Sequence, residues 1–364
     1  MTTAPLSRSS LILHLLAGQA PLRRIHLDLG GEILEIAVNE PALALELERY
    51  FAAFRTEARP PELSITAVEA PLQKAPLNLS LRQRAPGKTP HESYADLPDG
   101  RVVQKQRTGM LFIFGQGQNL VIGPCLEHFN QVVNFVGNRL IERLLHRGGL
   151  PVHAAAAGMR GRALAFSGPA GAGKSSLALH LLSRGADFVA NDRAVLLPDH
   201  GGVSIRGEPK TARVNPGTAL SVPGLAQVMP PADRRRYQAT DPAELWSVEH
   251  KYTAHVDRLF GPGRFQLRAA LAGLVFLEWQ GFDAPCRIEP AEPGERARLM
   301  EMLKKSPGLF FHPAEQAGQP PDWPTAAYLE LLEGAPAYTA RGGVDFSAAA
   351  AFCMELLEKC DETV

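Results

Sequence analysis

Gly168-Pro-Ala-Gly-Ala-Gly-Lys-Ser175 is the stretch on which the reading of this chain turns. It has the form G-x-x-x-x-G-K-[ST], a phosphate-binding P-loop. An apolar run, Ala163-Leu-Ala-Phe166, leads into it, and a helical pattern, Ser176-Leu-Ala-Leu-His-Leu-Leu182, leaves it. Gly168, Gly171 and Gly173 let the backbone curl so that successive N–H groups face inward. The helix that opens there adds the positive end of its dipole. Gly168, Pro169, Ala170, Gly171, Ala172, Gly173, Lys174, Ser175 and Ser176 are therefore the expected nucleotide-binding residues. Lys174 has the reach for the β- and γ-phosphates, and Ser175 the hydroxyl for a magnesium ion.

Working outward, Pro151 to Ala157 opens a core whose strand Gly161–Phe166 feeds the loop. Ala186 to Leu197 reads as a strand interrupted by polar residues, and Leu271 to Leu277 as a buried strand. Residues 206–218 read as a glycine- and proline-rich loop carrying Lys210 and Arg213, and residues 230–265 as charged and irregular. Helical stretches are expected at about 293–304 and 324–333. Tyr338–Arg341 reads as a last strand, followed by a helix from about Ser347 to Lys359.

Ahead of this core, Ile25–Leu29 and Ile33–Val38 form a hairpin pattern about Gly30-Gly31. A helix with Pro41 in its first turn follows, with Asn39 as its expected cap. Residues 56–100 read as one strand, Leu63–Val68, and loop. Three strands are expected at 101–104, 110–114 and 120–122, then a long helix at about 126–146 with an apolar stripe. The expected architecture is α/β. A small α+β domain over residues 1–125 precedes a nucleotide-binding domain over 126–364, a central β-sheet flanked by helices and entered through the long helix.

Bulk composition narrows the classes. A length of 364 residues suits two domains, and 45% hydrophobic with 21% charged residues is a globular profile. Lys+Arg and Asp+Glu both number 38, so no global field recruits nucleic acid. No apolar run approaches the roughly 20 residues that span a bilayer. Leu11–Leu16 is short and broken by His14, and reads as an amphipathic helix starting near Ser9-Ser10 rather than a signal segment. The four cysteines, Cys125, Cys286, Cys353 and Cys360, show no zinc spacing, and Cys353 and Cys360 fall on one face of the last helix. Reduced thiols and a cytoplasmic location are the expectation.

A P-loop specifies nucleotide binding, not a reaction. Two acids end apolar strands and are candidates for the chemistry: Asp192, about 18 residues after Lys174, and Glu278. Glu278 reads as an ordinary strand-end residue. Taken together, His153, the P-loop and Arg184-Gly-Ala-Asp-Phe-Val-Ala-Asn-Asp192 resemble the HPr kinase/phosphorylase family, nearest to its HPr-kinase-related kinase B group. The resemblance covers about residues 150–280. It implies a core of the HPr kinase type and an ATP-dependent kinase that passes the γ-phosphate to a hydroxyl of a protein or small molecule. Asp192 would accept or orient the hydroxyl proton, His153 would bond near it, and Lys174 would take developing charge. Magnesium would sit on Ser175, Asp192 and Asn191. Arg258 or Arg264 would reach over the phosphates, from the same subunit or a neighbour in a homo-oligomer, and Lys210 and Arg213 would bind substrate or phosphate. Asn191 replaces the first of two adjacent acids usual in the family, and Ser176 stands where a glutamate is usual. Both departures argue against HPr itself as acceptor. The competing reading is an ATP-binding sensor or assembly factor that transfers nothing.

Overall fold

The computed structural model describes residues 7–19, 21–72, 74–83, 89–115, 117–281, 284–313 and 323–359. It is mixed α/β, and its chain divides into two compact units, residues 1–146 with 307–322 and residues 147–306 with 323–364.

The first unit is built on an eight-stranded sheet of β1 (Arg23–Asp28), β2 (Ile33–Val38), β3 (Leu63–Glu69), β4 (Ser80–Leu81), β5 (Glu92–Leu97), β6 (Gly100–Lys105), β7 (Leu111–Phe114) and β8 (Gln118–Gly123). Their order is β1-β2-β3-β8-β7-β6-β5-β4. Side chains alternate between the faces of a strand. Leu111 and Ile113 therefore face a cluster with Leu11 and Ile12 of helix α1 (Arg8–Leu15). Phe112 and Phe114 face Phe135 of helix α3 (Phe129–His146), at ring distances of 5.1 and 6.1 Å.

Three expectations are corrected here. Helix α3 groups with the first unit, so the division falls after His146 rather than at residue 125, and the segment from Pro307 returns to that unit. Arg101 explains the return, because its guanidinium donates to the Leu309 and Phe311 carbonyls at 2.8 and 2.9 Å. Residues 56–100 hold β4 and β5 as well as β3. Helix α2 (Pro41–Tyr50) is capped by Glu40, whose carboxylate accepts from the Ala42 N–H at 3.1 Å. Asn39 instead accepts from the Glu69 N–H, at 2.8 Å. Cys360 lies outside the described residues.

The second unit contains β9 (Leu150–Val152), β10 (Ala155–Met159), β11 (Arg162–Ser167), helix α4 (Lys174–Leu182), β12 (Asp187–Ala190), β13 (Ala194–Asp199) and β14 (Gly202–Gly207). The stretches read as loop at 206–218 and as irregular at 230–265 carry β15 (Ala212–Val214), the start of α5 (Pro216–Ser221), α6 (Pro231–Gln238), α7 (Pro242–Leu245), β16 (Tyr252–Ala254) and α8 (Val256–Phe260). Then come β17 (Arg268–Leu277), β18 (Cys286–Pro290), α9 (Arg296–Leu303), α10 (Thr325–Leu331), β19 (Ala337–Gly342) and α11 (Phe346–Lys359). The nine-stranded sheet runs β12-β10-β11-β17-β14-β13-β9, with β19 on the C-terminal half of β17 and β18 beyond it.

Strand direction is what positions the site. β11, β17 and β19 are mutually parallel, and β10 is antiparallel to both β11 and β12, so β12 runs the same way as β11. The residues that follow β12, β11, β17 and β19 therefore emerge at one end of the sheet, where ligands gather in parallel α/β folds. The core beneath is small and apolar, with Ala154, Ala156, Ala163, Ala165, Leu274 and Phe276 fully buried. No helix among the described residues is long and apolar enough to cross a membrane.

Candidate functional site

The loop from Gly168 to Gly173 joins β11 to α4 as its sequence requires. Gly171 and Gly173 take left-handed φ values of 81° and 87°, which an L side chain adopts only with strain. Gly173 also has no room, since a Cβ there would come within 2.6 Å of the Phe346 ring. Gly173 caps α4 and, having no side chain, offers the first-turn N–H groups of that helix no capping acceptor of its own. Trp279, just after β17, donates its indole N–H to the Ala172 carbonyl at 2.8 Å and pins the loop from the side. Lys174 is 7% exposed, and its ammonium donates to the Gly168 and Pro169 carbonyls at 2.8 and 3.0 Å. Burial pulls its pKa down, Asp192 opposes that, and Lys305 adds to it.

The acidic side of the site follows β12. His153 Nε2 meets Asp192 Oδ1 at 2.9 Å, and Lys305 Nζ lies 3.6 Å from Oδ2. His153 is itself fixed: its N–H donates to the Leu303 carbonyl at 2.8 Å, and its carbonyl accepts from the Ser167 hydroxyl at 3.1 Å. The hydrogen bond with His153 holds the Asp192 carboxyl well below the usual carboxylate range; the charges of Lys305 and Lys174 assist, and burial opposes them. Ser175 Oγ donates to the Asn191 carbonyl at 3.2 Å, and Asn191 Oδ1 is buried with no hydrogen-bond partner. Ser176 shares a 2.8 Å hydrogen bond with Thr218 of α5.

The structure thus brings His153, Lys174, Ser175, Asn191 and Asp192 to one end of the sheet. It does not bring the arginines there. Arg264 pairs with Asp187 at 3.1 Å, and its carbonyl accepts from the Phe188 N–H. Asp187 is the first residue of β12, so this pair sits at the opposite end of that strand from Asp192. Arg258 is exposed on α8 and makes no ion pair among the described residues. Lys210 and Arg213 likewise make no contact with Asp192 or Lys174 among the described residues, and Arg213 is exposed on β15. Glu278 is bound by Arg298 and by Arg341 at 3.2 Å, a surface ion-pair cluster rather than a free acid. Sequence reasoning missed Lys305 and Trp279. Lys305 arrives because its N–H pairs with the Pro151 carbonyl, a link no local pattern encodes.

Against the glycine loop lies an aromatic cluster. Phe346 meets Trp279 at 5.2 Å, Trp246 at 5.9 Å and His180 of α4 at 5.3 Å, the last stacked at 8°. His180 Nε2 is buried without a hydrogen-bond partner, and burial, with Arg184 nearby, pushes its pKa down to about 4. A histidine held neutral when folded takes up its proton on unfolding, at about pH 6.5. Its contribution is complete above that value and is lost as pH falls toward the folded pKa. Urea unfolding at pH 7 and pH 4.5 is expected to show roughly 2 kcal/mol lost through this group, a slope that His180→Gln removes.

No family model matches the chain, and no curated protein matches it. Among solved structures it is similar to the Hpr(Ser) kinase/phosphatase from Coxiella burnetii. The identity is 12%, the match covers 58% of this chain and 90% of that one, and the TM-score is 0.29. A likeness at that level says nothing of chemistry or substrate, which rest on the residues themselves.

Proposed function

We propose that the chain is an ATP-dependent kinase that transfers the γ-phosphate to a hydroxyl of a protein or small-molecule acceptor. The observation that carries this reading is that Lys174, at a glycine loop that opens a helix, lies at the same end of the sheet as an Asp192 carboxylate whose charge it feels and which His153 holds at 2.9 Å. A loop of inward N–H groups and a helix N-terminus favour a polyphosphate. Lys174 and Lys305 supply the positive charge that a transferring phosphoryl group requires.

Asp192 orients the acceptor hydroxyl and takes its proton at the carboxylate. Its depressed pKa makes it a weak base. That suits a loose transition state, in which bonding to the incoming oxygen is slight and positioning outweighs basicity. His153 occupies Oδ1 and fixes the carboxylate plane, so it is a positioning residue. The oxygens of Ser175, Asn191 and Asp192 fit magnesium, a hard cation that takes one or two carboxylates and keeps several waters. The buried, unpartnered Asn191 Oδ1 is the particular support for it. When bound, the ion neutralises phosphate charge. Magnesium of this kind is held by one or two side-chain oxygens together with the nucleotide phosphates, which is the share these three residues would supply.

Calorimetric titration of the full chain with ATP, with and without magnesium, tests the first half of this reading. Saturable binding that tightens with magnesium is expected. Absence of ATP binding under both conditions would refute it.

A further inference from the structure

Trp246 is the one exposed large hydrophobic side chain of the second unit among the described residues, at 37% exposure. It is not a stray surface residue. Its indole lies on the backbone of Gly217, where a Cβ would meet Cε3 at 2.8 Å. It leans on Phe346 at 36° and 5.9 Å, and Phe346 in turn lies against Gly173 and Trp279. Phe346 and Trp279 thus line one flank of the glycine loop, and Trp246, seated on Gly217 of α5 and leaning on Phe346, extends that aromatic surface outward to a partly exposed ring.

Strand order says which flank this is. Asp192 follows β12, two places to one side of β11, while Trp279 and Phe346 follow β17 and β19 on the other side. A nucleoside triphosphate seated on the loop has its γ-phosphate toward Lys174 and Asp192, so its nucleoside end points to the opposite flank. There it meets aromatic surface. Planar heterocycles stack on aromatic faces with little regard to base identity.

We propose that Trp246, backed by Phe346 and Trp279, is the platform on which the nucleobase of the nucleoside triphosphate stacks. This inference rests on the kinase reading above. It adds that the base, and not the phosphates alone, contributes to affinity.

The test compares ATP with inorganic tripolyphosphate, both with magnesium, by calorimetry on the full chain. Wild type is expected to bind ATP at least about 5-fold more tightly than tripolyphosphate. Trp246→Ala should weaken ATP by about 5- to 150-fold and leave tripolyphosphate unchanged, whereas Trp246→Phe stays near wild type. Equal wild-type affinities for the two compounds would overturn the platform, and this arm needs no variant to fold. A folded Trp246→Ala protein with unchanged ATP affinity would overturn it as well. Failure of wild type to bind either compound would instead remove the kinase reading, and the platform with it.

Discussion

Asp192→Asn should transfer phosphate about 10³-fold more slowly than wild type while binding magnesium-ATP within a few-fold of it. The substitution keeps the size of the side chain and an oxygen for His153 or Lys305, but it removes the negative charge and the proton acceptor. Single-turnover transfer and calorimetry, run on the same preparation, separate the two effects. A variant that transferred normally would remove Asp192 from the chemistry. The pH dependence carries a sign as well. The carboxyl is depressed when folded, so its contribution to stability is present above the unfolded value of about 3.9 and is lost as pH falls through the lower folded value. For the same reason Asp192 stays ionised across neutral pH, and no acid limb of the wild-type rate above about pH 5 is expected from it.

Lys174→Ala should lower turnover by about 10²- to 10³-fold and weaken ATP binding by at least about 10-fold. The ammonium is buried and bonded to the Gly168 and Pro169 carbonyls, so it is already held over the loop that would receive phosphate. Its loss removes a charge from the place where negative charge develops. It also leaves two carbonyls short of a donor, at a cost of about 1 kcal/mol in stability. Lys174→Arg keeps the charge but spreads it over a planar fork too broad for the same two carbonyls, and should recover binding better than turnover. Turnover and affinity that were both unchanged in Lys174→Ala would contradict the assignment of this loop.

The glycine loop was legible because its requirements are local. Left-handed φ values at Gly171 and Gly173 and a helix beginning at Lys174 leave their mark in eight consecutive residues. Strand periodicity made the β11 and β17 segments readable for the same reason. Other features depend on residues far apart in the chain. Lys305 reaches Asp192 only because residues 303–305 pair with 151–153. β5 was hidden because its residues are half polar and owe their strand to pairing with β6. Arg264 looked available for phosphate because its segment carries no strong pattern, yet Asp187 claims it at the far end of β12. The aromatic cluster draws Trp246, Trp279 and Phe346 from three separate segments of the chain, and no spacing in the sequence joins them.

The most direct test of the central claim is transfer of label from γ-labelled ATP with magnesium, using the purified chain and a lysate as the source of acceptor. Lys174→Ala and Asp192→Ala serve as controls. A labelled acceptor that appears with wild type and is lost with both variants is the expected result, and it delivers the acceptor for identification. Tight ATP binding with no labelled product across lysate fractions would contradict a kinase and leave a nucleotide sensor in its place.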